Sequence, residues 1–321
     1  MKRFIRAAIT GTLALTALAS LTPRAEADHF RGRFNGFVES NILPAVQRGP
    51  AVFDVLTEQG TKFTGNLVNL IPPICNFRVK GSIGETGSVS GNGIDDDGDH
   101  VFFLGRTIVE GDGSVRVLAL KYLETSPNGQ PEDMGFIVMV KMQAGALWET
   151  PPDPCVPVTG HWDGLYQHGE RPGGGISMDL TQILSGGNNN QGILATSQFT
   201  TSFMGMGSMT NVLVPGSNSF FDVFFDIQGT VGSPIMTQGP PIAPLGAICL
   251  QNLPLPNGKT GIIAILIGLL LPAVQTGPST IQGQFHLFDS FHDLVNEVQT
   301  FQPAAFDRGP FSIMNGPSPG Q

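Results

Sequence analysis

From Asp28 onward, much of the chain alternates apolar and polar residues at a period of two. Phe77, Val79, Gly81 and Ile83 interleave with Asn76, Arg78, Lys80 and Ser82, and Ile176, Met178 and Leu180 with Ser177, Asp179 and Thr181. Phe221, Val223, Phe225 and Ile227 share a face opposite Asp222 and Asp226. This alternation marks strands with one buried face. Turn dipeptides punctuate the runs at Asn92-Gly93, Asp112-Gly113, Asn128-Gly129, Gly186-Gly187 and Asn257-Gly258. Strands joined by such short turns pair antiparallel, because parallel neighbours need long crossovers. One segment breaks the pattern. Ser290-x-x-Asp293 reads as a helix start, and Phe291, Val295 and Val298 follow at helical spacing, which predicts a short helix over residues 290–300.

The pattern also divides the chain. Gly32-Arg33-Phe34-Asn35-Gly36-Phe37 is echoed by Gly160-His161-Trp162-Asp163-Gly164-Leu165, and each opens a series of alternating runs. The alignment pairs 51–57 with 176–183 and 77–92 with 199–214. It predicts an internal duplication. The expected order is a β domain over 28–149, a Pro-rich linker over 150–157, a second β domain over 158–300 containing a long 233–258 loop, and a flexible tail over 301–321.

Residues 1–27 read differently. Lys2, Arg3 and Arg6 precede the apolar stretch Ala7–Leu21, and Ala25-Glu26-Ala27 offers a small-x-small cleavage site before Asp28. This is the layout of a secretory signal peptide cut between Ala27 and Asp28, so the expected location is secreted, periplasmic or at the cell surface. Cleavage would change the formal charge from −9 to −12, leaving 13 basic against 25 acidic residues. A negative surface repels phosphate backbones and argues against nucleic acid as a partner. Only 13% of residues are charged, while 42 Gly and 25 Pro fit many short strands and tight turns.

An oxidising compartment permits one disulfide among Cys75, Cys155 and Cys249. The similar settings Ile-Pro-Pro-Ile-Cys75 and Pro-Leu-Gly-Ala-Ile-Cys249 suggest the pairing Cys75–Cys249, against three buried reduced thiols as the alternative.

Gly261–Val274 reads GIIAILIGLLLPAV, with no charge between Lys259 and His286. Residues 261–275 resemble the apolar helix of type IV prepilin-like proteins. The run lies deep in the chain, however, and lacks the Gly-Phe-Thr-Leu-x-Glu processing motif of that family. Fourteen apolar residues also fall short of the roughly 18–20 that a spanning helix needs. A buried strand, a short buried helix and a membrane-associated segment remain as readings.

The strongest candidate for chemistry is Asp95-Asp96-Asp97-Gly98-Asp99. These four carboxylates concentrate hard oxygen ligands suited to calcium, though not at EF-hand spacing; the alternative is a solvated acidic turn. His161, Asp163, His168 and Glu170 also cluster in sequence, but strand alternation puts His161 and Asp163 on one face and His168 on the other. His286 and His292 with Asp289 and Asp293 fit polar residues around a helix start. Asn257-Gly258-Lys259-Thr260 lacks the first glycine of a phosphate loop, and His-Glu-x-x-His does not occur.

The expected architecture is two tandem antiparallel β-barrels or sandwiches with a short C-terminal helix, the first half showing a lipocalin-like pattern. The leading expectation for function is a non-enzymatic envelope or extracellular binding or structural protein, with self-association or an envelope component as partner. A carrier of small hydrophobic ligands and a secreted hydrolase are the alternatives. No catalytic residue and no cofactor other than calcium is expected.

Overall fold

The computed structural model describes residues 30–41, 46–110, 115–142, 157–168, 173–183, 201–232, 242–273 and 278–316. Eight strands form the first barrel: β1 (Gly32–Ser40), β2 (Gln47–Gln59), β3 (Lys62–Asn69), β4 (Cys75–Ile83), β5 (Ser88–Ile94), β6 (His100–Glu110), β7 (Val115–Thr125) and β8 (Pro131–Met142). The second contains β9 (Gly160–Tyr166), β10 (Gly175–Ile183), β11 (Thr201–Leu213), β12 (Phe220–Val231), β13 (Ala243–Gln251), β14 (Ile263–Leu271), β15 (Thr280–Phe288) and β16 (Asp307–Gly316). Helix α1 (Phe291–Thr300) lies between the last two strands. In each barrel every strand pairs with its sequence neighbours, and the first closes on the last, β1 on β8 and β9 on β16. All pairings are antiparallel. Closure removes the exposed edges that an open sheet of this length would present.

The duplication is therefore a tandem of two up-and-down barrels. Gly32 and Gly160 open them with φ of +126° and +138°, which only glycine adopts readily. The finer alignment is out of step, since 77–92 covers β4 and β5 while 199–214 falls on β11, the third strand of its barrel. An eight-stranded barrel is just wide enough for its side chains to fill. Phe34, Phe53, Phe63 and Phe103 fill the first, and Trp162, Phe203, Phe225 and Phe285 are among those filling the second.

A third apolar cluster joins the barrels. Outward residues of barrel one (Phe37, Val117, Ala119, Val138, Val140) meet outward residues of barrel two (Ile248, Leu250, Ile263, Ile265). Helix α1 completes it with Phe291, Leu294, Val295 and Val298. Asn35 donates to Ser202 Oγ across the junction at 2.9 Å. The Arg33–Asp54 pair, at 2.6 Å, is also buried. Ser290 caps α1 by accepting the Asp293 N–H, as its sequence motif predicts.

Three expectations are corrected. The 261–275 run does not form a prepilin-like helix: residues 263–271 are strand β14, and no helix among the described residues is long and apolar enough to cross a membrane. The run is apolar throughout because β14 is covered on both faces. Ala264 and Leu266 face the barrel-two core, and Ile263 and Ile265 face the inter-barrel cluster. The same double burial hides β13, every residue of which is buried, inside what reads as a 233–258 loop. The 301–321 segment, expected as a loose tail, supplies β16, whose Phe311 and Ile313 enter the core. The signal segment 1–27 and almost all of the 150–157 linker lie outside the described residues.

Candidate metal centre at the mouth of the first barrel

On β7, Leu118, Leu120, Tyr122 and Glu124 occupy successive inward positions, so the alternation that builds the core carries a carboxylate to the barrel mouth. Register places Asp133 of β8 directly opposite Glu124. A register irregularity between Glu124 and Thr125 brings the neighbouring Glu132 to the rim. The β5–β6 loop arrives from the other side. There Asp95 Oδ1 accepts the N–H groups of Asp97 and Asp99 at 3.0 and 2.9 Å, which fixes the turn. One carboxylate oxygen each from Asp99, Glu124 and Glu132 then lies within 4.8 Å of the others, so the cluster could hold a metal ion.

The electrostatics are those of crowded anions. Burial, followed by Asp133, Asp99, Asp95 and Glu132, raises the Glu124 pKa to about 7. Asp133 is held by Tyr122 Oη at 2.6 Å and Ser40 Oγ at 2.8 Å, both donating to it. Burial first, and then the Asp133 contact, pushes the Tyr122 phenol upward. Cys75 Sγ lies 3.9 Å from Glu124 Oε1; burial and then Glu124 raise its thiol to about 12, which keeps it protonated.

The structure thus divides the predicted Asp95, Asp96, Asp97 and Asp99 set. Asp99 faces the cluster, and Asp95 shapes the loop. Asp96 is exposed and paired with Arg78 at 3.1 Å, and Asp97 is exposed. Glu124 and Glu132 escaped the sequence reading because they lie more than twenty residues from the loop. The available signal was an acidic residue continuing the apolar inward positions Leu118, Leu120 and Tyr122 of β7.

Other candidates separate. His161 Nδ1 lies 2.8 Å from Asp179 and Nε2 2.5 Å from Asp163, on the outside of barrel two. His168 pairs instead with Asp307, beside the rings of Tyr166 and Phe285. His168 lies past the end of β9 and does not join His161 and Asp163, and Glu170 lies outside the described residues. Asp289 holds Lys259 at 2.6 Å, and Asp293 belongs to the helix cap. Cys75 and Cys249 are free thiols in different barrels, so the Cys75–Cys249 bond is not formed; Cys155 lies outside the described residues.

Each barrel core holds a cavity of about 10 Å³, one beneath Glu124 and one between Met178, Phe225 and Leu266. That is room for about one water molecule, and too little for a hydrophobic cargo.

No protein-family model matches the chain, and no curated protein matches it. A solved structure, that of a protein of unknown function from the DUF3598 family of Nostoc punctiforme, is similar over 89% of this chain and 96% of that one, at 10% identity and a TM-score of 0.21. A score that low transfers neither architecture nor site.

Proposed function

We propose that this chain is a non-enzymatic, extracytoplasmic two-barrel protein that binds calcium at the mouth of its first barrel and acts as a structural or binding module. The convergence of Asp99, Glu124 and Glu132 carries the reading. Glu124 is buried among four other acidic residues, and a divalent cation relieves their repulsion without protonation. Calcium is favoured over magnesium because it accepts irregular sets of carboxylate and water oxygens. The N-terminal pattern supports an extracytoplasmic setting, where millimolar calcium suits a weak site.

Thermal unfolding of the mature chain with calcium or with chelator tests this. At about 100 times Kd, calcium should add about 2.7 kcal/mol of stability, and Glu124→Gln should abolish most of the gain. An unchanged midpoint in 10 mM calcium, or an equal response in the variant, would sink the reading.

A further inference from the structure

Each barrel carries an exposed face outside the inter-barrel cluster, and the two faces differ in charge. On barrel one, strand register sets out two cross-strand rows of outward residues, Lys80–Asn92–Phe102–Leu123–Met134 and Ser82–Ser90–Leu104–Lys121–Phe136. Lys80, Phe102, Leu104, Lys121 and Met134 are exposed, and neither row holds an acidic residue. Among the described residues, no other group engages the ammonium of Lys80 or Lys121. On barrel two the corresponding rows are His161–Asp179–Met206–Asp226 and Met314–Asp163–Ser177–Ser208–Phe224. Asp163, Asp179, Met206, Phe224 and Met314 are exposed. Neither row holds a lysine or arginine. His161 is buried between Asp163 and Asp179, and even with its proton bound the three carboxylates leave this face net negative.

We propose that these two faces pair between copies of this chain, the cationic face of barrel one in one copy against the acidic face of barrel two in the next. Both present large apolar side chains set among charges of one sign, so pairing buries apolar surface while lysines meet carboxylates. The chain already makes a contact of this kind: the outer sheet faces of the two barrels pack together at the junction. The barrel-one face continues that contact, since its second row ends on Phe136, which packs against the inter-barrel cluster. The net charge of −9 repels an anionic lipid surface, the other taker for a cationic apolar face, whereas a second copy offers a local match. Because the two faces differ, each copy in a pair keeps one face unused, and association continues into a ring or a filament. The contact is independent of the metal centre.

Sedimentation velocity in chelator tests this on the chain as purified from its producing cells. Wild type should form dimers and larger species, and raising salt from about 50 to about 500 mM should weaken the association at least tenfold. Two variants each disable one face. Phe102→Ser with Leu104→Ser strips the apolar centre from barrel one, and Met206→Lys sets a cation between Asp179 and Asp226, its ladder neighbours. Leu104 and Met206 are each 61% exposed, so both variants should keep the fold. Each alone should be monomeric. An equimolar mixture should give a species of two chains and nothing larger, because only one intact face of each kind remains. A mixture that stays monomeric, variants that assemble like wild type, or assembly indifferent to salt overturns the pairing. A wild type that stays monomeric also overturns it, and sedimentation of that monomer with phosphatidylglycerol vesicles would assign the cationic face to lipid instead.

Discussion

Glu124 and His161 illustrate how opposite environments move titrating groups, and each yields a pH test. The Glu124 carboxyl is raised to about 7, so its ionised form is penalised in the folded state, and the metal-free protein loses stability as pH rises from the ordinary carboxylate range through about 7. Glu124→Gln removes that titration and should raise metal-free stability at pH 8 by about 2 kcal/mol, read by denaturant unfolding in chelator. A variant less stable than wild type under those conditions would contradict the crowding argument. His161 moves in the same direction for a different reason. Asp179 most of all, opposed by burial and aided by Asp163, raises its pKa, so the bound proton stabilises the fold. That contribution is complete below the ordinary imidazole value and disappears as pH rises through the higher folded value. His161→Gln should flatten the fall in melting temperature across that window, and an unaltered profile would show that the pair adds nothing. Cys75 and Cys249 give a third residue-scale test. Both thiols are pushed upward chiefly by burial, so neither should react with a thiol reagent at neutral pH until the chain unfolds.

At the scale of the element, helix α1 is the clearest case of local sequence setting local structure. Ser290 accepts the Asp293 N–H at 3.1 Å, and the apolar stripe Phe291, Leu294, Val295 and Val298 enters the inter-barrel cluster. Ser290→Ala should cost about 1 kcal/mol in unfolding free energy, while Ser290→Asp should largely retain it. Strands with one wet face were equally legible: β4, β10 and β12 lie where alternation put them. Strands β13 and β14 were not, because a strand buried on both faces loses its polar positions and with them the period of two. Strand β16 was hidden for another reason. Its Gly309-Pro310 pair resembles a loop, yet the Pro310 carbonyl still serves the ladder by accepting the Gln167 N–H.

For the whole molecule, the shared apolar cluster should make the two barrels unfold as a single thermodynamic unit. Ile263 is fully buried between the β13–β14 surface and barrel one. Ile263→Ala should cost about 3 kcal/mol, and calorimetry should show one transition shifting as a whole. Two separated transitions in the wild type would show that the junction does not couple the barrels.

The sequence by itself determined the β class, the C-terminal helix and the acidic loop, because each rests on neighbours within a few residues, and the duplication, because the opening motif at Gly32–Phe37 recurs at Gly160–Leu165. It also carried Asp99 to the candidate centre. Only the tertiary structure decided that Glu124 and Glu132 join Asp99, that Asp96 and Asp97 do not, and that Cys75 and Cys249 lie apart. Barrel closure sets those distances through strand register, and register depends on pairings between residues far apart in the chain.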